Sequence, residues 1–258
     1  MKLGINISQN RSYESQIELL KKYGIEGTFV ASEHPELDFV IRFLNSNGIV
    51  CETLHAPFDK INDMWSDDES LADAMFSRLL DSVDKCAKYN IPVTVVHLSS
   101  GKPMPEINPA GEARYARIFE YARDKGVIVA LENQRFLENL SYFLEKYPVS
   151  FCWDCGHEYG FTKGIRFMDL YGDRCVALHI HDNRCGIDTD DHLIPFDGNI
   201  DYTVVVEDLV KHNYRGTLML EVGKKNKLYD NMTDEEYISR AESAAKRLSD
   251  MIEELKIN

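Results

Sequence analysis

The chain has 258 residues, of which 44% are hydrophobic and 28% charged, so it can bury one sizeable core and is not expected to be disordered. No apolar stretch approaches the roughly 20 residues of a membrane span. The first residues lack an apolar secretory segment, and the six cysteines predict reduced thiols in a cytoplasmic protein. The net charge of −14 would repel a phosphate backbone, which argues against a nucleic-acid partner.

Segments typical of strands and helices alternate from one end of the chain to the other, which is the pattern of repeated β/α units. The predicted strands are residues 2–7, 27–31, 49–54, 92–97, 127–132, 149–154, 175–180 and 217–222. The predicted helices are residues 13–23, 35–47, 67–89, 109–125, 137–146, 164–171, 201–212 and a last one that ends near 254. Eight such repeats, in a chain close to the roughly 250 residues of an eight-fold barrel, predict one α/β domain, a single (β/α)8 TIM barrel over residues 1–258.

Short polar motifs mark three of the predicted helix ends. Gly48 is well placed to cap the second helix at its carboxyl end, where a left-handed backbone favours glycine. Ser66 with Glu69, and Thr233 with Glu236, have the spacing of a capping box, in which each side chain bonds to the backbone N–H of the other residue. We therefore expect helices to begin just after Ser66 and just after Thr233.

Three long connections lie on the side of the barrel where active sites form. They follow strands three, four and seven, at residues 56–66, 98–108 and 181–199. Phe58, Met64 and Trp65 in the first connection have two interpretations. They form either an apolar wall over a ligand or a seal that keeps water out of the top of the barrel.

Six short apolar runs, spread along the whole chain, each carry a strongly polar residue at the carboxyl end. The runs are LHAP, VTVVHL, VIVALEN, FCWDCGH, CVALHI and TLMLEV, and the polar residues are His55, His97, Glu132, Asp154 with His157, His179 and Glu221. Because the carboxyl ends of barrel strands meet at one rim, we expect these side chains to converge. Any one of them alone would be explained equally well by a salt bridge at the barrel mouth or by a buried imidazole.

Four of these residues come from strands five to eight, which are neighbours in a closed sheet: Glu132, Asp154, His179 and Glu221. Three carboxylates and one imidazole suit a divalent ion of borderline to hard character, such as Mn²⁺, Zn²⁺, Co²⁺ or Mg²⁺. The sequence therefore predicts one divalent metal ion as cofactor. His181 faces the same side of its strand as His179, so periodicity alone does not choose between the two histidines.

Seven motifs follow one another in the order known from one family. They are HAP at 55–57, VVHLSSG at 95–101, LEN at 131–133, WDCGH at 153–157, LHIHDN at 178–183, DDHLIPFDGNID at 190–201 and LEV at 220–222. On these motifs, which cover most of the chain, the sequence resembles the xylose-isomerase-like TIM-barrel superfamily. That superfamily contains ketose 3-epimerases, sugar-phosphate isomerases, inosose dehydratases and zinc-dependent abasic-site endonucleases.

The resemblance assigns roles to the residues of the rim. It implies that the four residues of strands five to eight match the single-metal ligands of the epimerases, and that His157 matches a histidine that contacts substrate oxygens. The family ligand stands three residues before an acidic residue, here Asp182, which selects His179 over His181. The epimerases also place a substrate-binding arginine shortly after this ligand; Arg184 is the candidate here, although its spacing is one residue short.

The abasic-site endonucleases of the superfamily bind three zinc ions and need more ligands. Their additional histidines match His55 and His97, and their third-metal group matches His157, Asp190 and His192. More than one zinc ion is therefore an alternative to the single ion, whereas in a sugar-active protein His55 and His97 would contact the substrate. The acidic net charge, with no basic and aromatic loops suited to opening a duplex, argues against DNA as the substrate.

The implied chemistry is proton transfer next to a carbonyl, with Glu132 and Glu221 as the acid/base pair and the metal ion as the electrophile. We therefore expect an isomerase, either a ketose epimerase or an aldose–ketose isomerase, that works through an enediolate on a small sugar or sugar phosphate. Two alternatives stay open: a lyase or dehydratase that acts on an inosose or a sugar acid, and a zinc phosphodiesterase like the abasic-site endonucleases. No membrane partner is expected, and a homo-oligomer stays open.

Three lysines follow strand eight directly, at Lys224, Lys225 and Lys227. Barrels often bind phosphate in this region. The lysines therefore either recognise a sugar phosphate or a sugar acid, or belong to a solvated surface loop.

Overall fold

Eight parallel strands form the centre of the structure, a computed structural model that describes residues 1–8 and 11–257. The strands are β1 (Leu3–Ile5), β2 (Gly27–Ala31), β3 (Val50–His55), β4 (Val93–Val96), β5 (Ile128–Glu132), β6 (Ser150–Asp154), β7 (Cys175–His179) and β8 (Leu218–Leu220). Strands β1 to β7 pair in chain order, and β1 also pairs with β8. The N–H of Ile180 donates to the carbonyl of Met219, and the N–H of Glu221 donates to the carbonyl of Ile180, so β7 and β8 also meet. The chain is a single (β/α)8 TIM barrel, as predicted.

Helices cover the outside of the barrel between the strands. In the described part of the chain they are α1 (Tyr13–Lys22), α2 (Leu37–Ser46), α3 (Glu69–Tyr89), α4 (Pro109–Asp124), α5 (Leu137–Lys146), α6 (Cys155–Phe161), α7 (Phe167–Tyr171), α8 (Tyr202–Lys211) and α9 (Asp234–Ile257). Three short segments of 3-10 helix also occur in this part of the chain, at Ile61–Trp65, Gly172–Arg174 and Lys227–Tyr229. Buried side chains of the helices and strands form one large apolar core. None of these helices combines the length and the apolar character that crossing a membrane requires.

Two of the three predicted helix ends are confirmed. Gly48 follows α2 with a φ of +74°, in the left-handed region that favours glycine. The N–H of Thr233 donates to Oε2 of Glu236 at 2.7 Å and the N–H of Glu236 donates to Oγ1 of Thr233 at 3.2 Å, which is a capping box. The prediction for Ser66 was wrong. The carboxylate of Asp68, which stands directly before α3, accepts the N–H groups of its first turn instead.

The connection after β6 differs from the prediction. The helix predicted at 164–171 corresponds to the shorter α7, and α6, which comes before it, was not predicted. Strand β6 continues directly into α6 because the carboxylate of Asp154 accepts the N–H of His157 at 2.6 Å and so caps the new helix. This cap turns the chain back over the rim, where Nδ1 of His157 lies 3.3 Å from Oε1 of Glu132.

The polar rim stands directly above an apolar interior. A small cluster of buried side chains fills the barrel beneath the rim: Val93, Val95, Ala130, Cys152 and Ala177. Side chains two residues apart on a strand point to the same face. Glu132 therefore follows Ala130 on the inner face of β5, and His179 follows Ala177 on the inner face of β7. This apolar cluster excludes water from beneath the rim. The charged groups of the rim therefore face one another and the open end of the barrel.

One carboxylate organises the long connection after β7. Asp182 accepts four backbone N–H groups at 2.7 to 3.1 Å, from Asn183, Phe196, Gly198 and Ile200. Its backbone also pairs with Leu193 in a short antiparallel bridge. These bonds fold the connection back over the barrel and bring Asp190 and His192 to the rim.

Candidate metal centre

The structure brings the predicted rim residues together. Six of them stand at the last residue of a strand or one residue beyond it: His55, His97, Glu132, Asp154, His179 and Glu221. Glu221 is partly exposed, and the other five are buried. Five of these six, all except His97, fall into three groups of potential metal ligands together with residues from α6 and from the connection after β7, and some of the groups share members.

The first group, named the inner group here, consists of Glu132, Asp154, His179 and Glu221. One potential ligand atom from each residue lies within 4.8 Å of the others. Nδ1 of His179 lies 3.4 Å from Oε2 of Glu132 and 3.2 Å from Oε2 of Glu221. Oδ2 of Asp154 is buried and accepts no hydrogen bond from any described residue. These are the four residues that the sequence predicts as ligands, and their geometry is compatible with one ion.

Two more histidines surround Glu132. Nε2 of His97 and Nε2 of His55 lie 2.9 Å and 3.3 Å from the same oxygen, Oε2 of Glu132. His55 forms a second ligand group with Glu132 and His179, again within 4.8 Å. One carboxylate oxygen thus faces three imidazoles, which suits a carboxylate that bridges two metal ions as well as one that binds a single ion.

The third group, named the outer group here, consists of His157, His181, Asp190 and His192. The carboxylate of Asp190 lies 3.1 Å from Nε2 of His192, 3.6 Å from Nε2 of His157 and 3.8 Å from Nε2 of His181. Sequence reasoning treated His181 only as a rival of His179, but the structure places the two histidines in different groups. The signal for His181 was the strand alternation that turns both histidines to one face.

Backbone carbonyls orient four of these histidines. In each, Nδ1 lies 2.8 to 3.3 Å from a carbonyl oxygen, and the pairs are His55 with Ala56, His157 with Asn133, His181 with Asp182 and His192 with Glu221. The Nδ1–H donates this bond, which directs Nε2 towards the carboxylates. Histidines that bind metal ions are commonly held in this way.

Neighbouring imidazoles stabilise the charged forms of the buried carboxylates, and three of these imidazoles, those of His157, His179 and His192, have raised pKa values. Burial alone would raise the pKa of Glu132, but His97 and His179 hold the pKa of this carboxyl well below its usual range. Burial likewise disfavours the charged form of His192, but the hydrogen bond to Asp190 raises the pKa of that imidazole to about 10. A divalent ion can replace these protons, because metal binding and deprotonation of the ligands are coupled.

The donor atoms fit divalent metal ions in both groups. The three carboxylates and one imidazole of the inner group suit Mn²⁺, Mg²⁺, Co²⁺ or Zn²⁺, whereas the three imidazoles and one carboxylate of the outer group suit Zn²⁺. Oδ2 of Asp154 is buried without a hydrogen bond in the described part of the chain. A buried polar atom left in this way costs about 1–3 kcal/mol, and coordination to an ion would remove that cost.

Gln134 is a residue of the centre that sequence reasoning missed. Its Nε2 lies 3.1 Å from Nε2 of His97 and 3.2 Å from Nδ1 of His157, and it donates to Oε1 of Glu132 at 3.4 Å. Its position two residues after Glu132 in the LENQ motif was the available signal. The amide therefore lies among the histidines and the predicted base.

The first long connection is buried in one part and exposed in another. Met64 and Trp65 are buried, and Nε1 of Trp65 donates to the carbonyl of Leu98 at 2.8 Å, so these side chains seal the barrel. Phe58 is 47% exposed, and its ring stacks on His97 with the centroids 4.8 Å apart. Phe58 therefore offers an apolar surface beside the inner group.

Arg184 is not brought to the ligand groups. Its side chain is largely exposed, and its backbone N–H and Nε both donate to Oδ2 of Asp191 at 3.0 Å. Its role as a substrate contact stays a prediction that would require the side chain to leave this ion pair.

A cavity of about 500 Å³ opens beside the metal centre. Glu221 and His192 line one side of it, and Arg11, Lys224 and Lys225 also line it. Small-molecule sites in proteins commonly have volumes of about 300–1,000 Å³. The cavity is thus large enough for a small molecule, and Glu221 belongs both to its lining and to the inner group.

The sequence of residues 17–254 matches a protein family described as the xylose isomerase-like TIM barrel. The chain belongs to this family. One curated relative, the uncharacterised protein y4fM of Sinorhizobium fredii (strain NBRC 101917 / NGR234), is 30% identical over 129 residues, which are 48% of this chain and 40% of the relative. The chain therefore spans less than half the length of that relative.

Solved structures of similar barrels superpose on nearly the whole of this chain. D-psicose 3-epimerase from Clostridium cellulolyticum H10, solved with D-tagatose, has a TM-score of 0.80 and 16% identity, over 98% of this chain and 99% of the epimerase. The IOLI protein, solved with a bound zinc atom, has a TM-score of 0.77 and 16% identity, over 98% of this chain and 99% of that protein. At such identities the likeness shows the fold, and the fold is that of xylose isomerase-like proteins and ketose 3-epimerases.

Proposed function

We propose that this protein is a metal-dependent isomerase or epimerase that acts on a small sugar or sugar phosphate by proton transfer next to a carbonyl. The observation that carries the proposal is the inner group, in which the carboxylates of Glu132 and Glu221 both lie within 3.4 Å of Nδ1 of His179. The epimerase and zinc-containing relatives of the same fold support it.

The two glutamates are suited to complementary tasks. Glu132 and Glu221 come from β5 and from the end of β8, with β6 and β7 between them, so their carboxylates reach a bound sugar from different directions. Glu221 lines the cavity and is partly exposed, whereas Glu132 is buried among histidines. One carboxylate can remove the proton next to the carbonyl and the other can return it. A divalent ion in the inner group would supply a Lewis acid for the carbonyl oxygen.

Side chains around the glutamates can bind the rest of the sugar. The amide of Gln134 and the imidazoles of His97 and His157 lie beside Glu132 and offer hydrogen bonds to hydroxyl groups. The exposed ring of Phe58 offers an apolar surface that suits the C–H face of a sugar. These contacts would orient the carbon that exchanges its proton between the two carboxylates.

The test is deuterium exchange by the metal-loaded protein in D₂O, with a panel of ketoses, ketose phosphates and inososes followed by NMR. The expected result is deuterium at the carbon next to the carbonyl, together with an epimeric or isomeric sugar. Loss of water from an inosose or a sugar acid would assign the lyase alternative instead. If the protein holds its metal and exchanges no proton of any sugar in the panel, the proposal fails.

The outer group favours a second candidate function, a zinc phosphodiesterase. Its three histidines and one carboxylate, together with His55 and His97 beside Glu132, provide ligands for more than one zinc ion. Several zinc ions around one carboxylate can clamp a phosphodiester and activate water. The net charge of −14 opposes binding of DNA. Incubation of the zinc-loaded protein with an abasic duplex and with a small phosphodiester tests this candidate, and turnover of either would replace the isomerase.

A further inference from the structure

Three cationic side chains line the cavity beside the inner group, in a chain whose net charge is −14. Arg11 belongs to the connection after β1, and Lys224 and Lys225 belong to the connection after β8. Because β1 and β8 are neighbours in the barrel, these two connections face each other across the cavity. Glu221 lines the same cavity, so a molecule that contacts the cations can also reach the inner group.

A shared carboxylate fixes two of these cations in place. Nζ of Lys224 lies 2.5 Å, and Nη1 of Arg11 3.2 Å, from the same oxygen, Oδ1 of Asp234. Nη1 of Arg11 is nevertheless buried without a hydrogen bond of good geometry among residues 1–8 and 11–257. Two positive charges thus converge on one negative charge.

The balance of charge in the cavity is positive once the inner group is occupied. Asp230 lines the cavity, and Asp234 pairs with Lys224 and Arg11, so these two negative charges leave one of the three positive charges uncompensated. Lys225 is exposed and has no ion pair with either carboxylate in the described residues. Glu221 also lines the cavity, but in the proposed function the metal ion compensates its negative charge. The remaining positive charge is suited to an anionic group.

We propose that this cavity binds the anionic end of the substrate, a phosphate or a carboxylate carried by the sugar, through Arg11, Lys224 and Lys225. This inference rests on the proposed function and narrows its substrate class, because the carbonyl end of the same sugar would reach Glu221. A guanidinium forms two parallel hydrogen bonds to a phosphate or carboxylate, and an ammonium adds a mobile point charge. The connection after strand eight is also a region where barrels often bind phosphate.

The test compares three sugars of the same carbon number: a ketose monophosphate, the free ketose and a keto sugar acid. Isothermal titration calorimetry measures their affinity for the metal-loaded full chain. At least one of the two anionic sugars should bind roughly tenfold more tightly than the free ketose, since charge-assisted hydrogen bonds have about this effect. The anionic sugar with the higher affinity identifies whether the group is a phosphate or a carboxylate.

Two variants assign the effect to the cavity. Lys225→Gln and Arg11→Gln should each lower the affinity for the anionic sugar, by up to about tenfold, and leave the affinity for the free ketose unchanged. Lys227→Gln is the matched control, because Lys227 is exposed on the same connection and does not line the cavity. Metal content and thermal unfolding are measured for each variant. The result for Lys225 stands even if Arg11→Gln disturbs the fold, because Lys225 is an exposed side chain.

Equal affinity for all three sugars would overturn the inference, as would an unchanged affinity in Lys225→Gln or an equal loss in Lys227→Gln. Its failure differs from failure of the proposed function. If free ketoses exchange deuterium while anionic sugars bind no more tightly than the free ketose, the isomerase activity is supported and the anion site is refuted. If no sugar exchanges deuterium but the anionic sugars bind through Lys225, the isomerase activity is refuted and the anion site is supported.

Discussion

Nε2 of His181 lies 3.1 Å from Oδ1 of Asp154, which joins the outer group to the inner group. The same oxygen accepts the N–H of His157 and caps α6, whereas Oδ2 is buried without a hydrogen bond in the described residues. One aspartate therefore shapes the chain after β6, contacts a histidine of the outer group and belongs to the inner group. Substitutions in either group should be judged by the metal content as well as by activity.

Asp190→Asn should empty the outer group and leave the inner group intact. Asp190 supplies the carboxylate of the outer group, and its replacement by an amide removes the negative charge that His157 and His192 face. If the protein binds more than one zinc ion, elemental analysis should show about one ion fewer per chain. Asp191→Asn is the control, because Asp191 is paired with Arg184 instead. Unchanged zinc content in Asp190→Asn would remove the outer group as a metal site.

Deuterium exchange from sugars in Asp190→Asn separates the two candidate functions. An isomerase that needs only the inner group should keep most of its exchange rate. A phosphodiesterase that needs several zinc ions should lose most of its turnover.

Glu132→Gln and Glu221→Gln should each lower the rate of sugar proton exchange by about a hundred- to ten-thousand-fold. Glutamine keeps the volume and an oxygen donor but removes the base. Because both residues are also proposed ligands, metal content is measured beside the rate. Glu120→Gln, an exposed residue of α4, controls for the loss of one acidic charge. A Gln variant that keeps its metal and exchanges at a normal rate would take that glutamate out of the mechanism.

The barrel and its rim could be predicted because both depend on local patterns. Each strand is a short apolar run, and β-strand alternation fixes which residue faces inwards when the run ends. The convergence of Glu132 and His179 could thus be predicted from the sequence, because each residue stands two positions after an apolar residue that points into the barrel.

The rest could not be predicted because it depends on how the connections fold. The sequence predicted that Asp154 ends a strand, but it contained no separate signal that the same side chain caps α6. Arg11 reaches the cavity only because two neighbouring connections fold towards each other. Phe58 and Trp65 have similar chemistry in the sequence, and their different exposure follows from the 3-10 turn that buries Trp65.

Gly156→Ala should displace His181 and weaken the outer group. A methyl group on Gly156 would stand 1.9 Å from Cε1 and 2.2 Å from Nε2 of His181, which is fully buried. We expect a loss of roughly 1–3 kcal/mol in unfolding free energy, typical of overpacking, and a lower zinc content. Urea unfolding and elemental analysis measure the two effects. In a His181→Ala background the same substitution should cost little, and an equal cost there would contradict this explanation.

Phe58→Ala should raise KM for the sugar and change kcat by less. The ring is half-exposed and stacks on His97, so it can contact a bound sugar without touching the carboxylates that move the proton. Loss of one such surface contact should raise KM by about three- to tenfold, as expected for about 1 kcal/mol of apolar burial. Phe39→Ala, at a similarly exposed ring on α2, is the control. A fall in kcat with constant KM would instead assign Phe58 to the orientation of His97.

The contact between α4 and α5 should make the stability of the protein sensitive to acid, independently of the metal centre. Glu112 on α4 accepts hydrogen bonds from Tyr142 at 2.7 Å and Tyr147 at 2.6 Å and forms an ion pair with Lys146. Lys146 and the two tyrosines lower the pKa of Glu112 from 4.5 to about 2. Between these values the unfolded chain binds a proton that the folded chain does not, so folding is disfavoured as the pH falls.

The stabilising effect of the Glu112 carboxylate should therefore be complete above about pH 4.5 and decline as the pH falls towards about 2. Glu112→Gln lacks the titrating group but can still accept hydrogen bonds from the tyrosines. We expect wild type to be more stable than Glu112→Gln at pH 6, and the difference in melting temperature to shrink at pH 4 and again at pH 3. Glu120→Gln on the same helix controls for the general effect of acid on an acidic chain. A difference that stays constant or grows as the pH falls would show that the stabilising effect of this contact does not depend on the charge of Glu112.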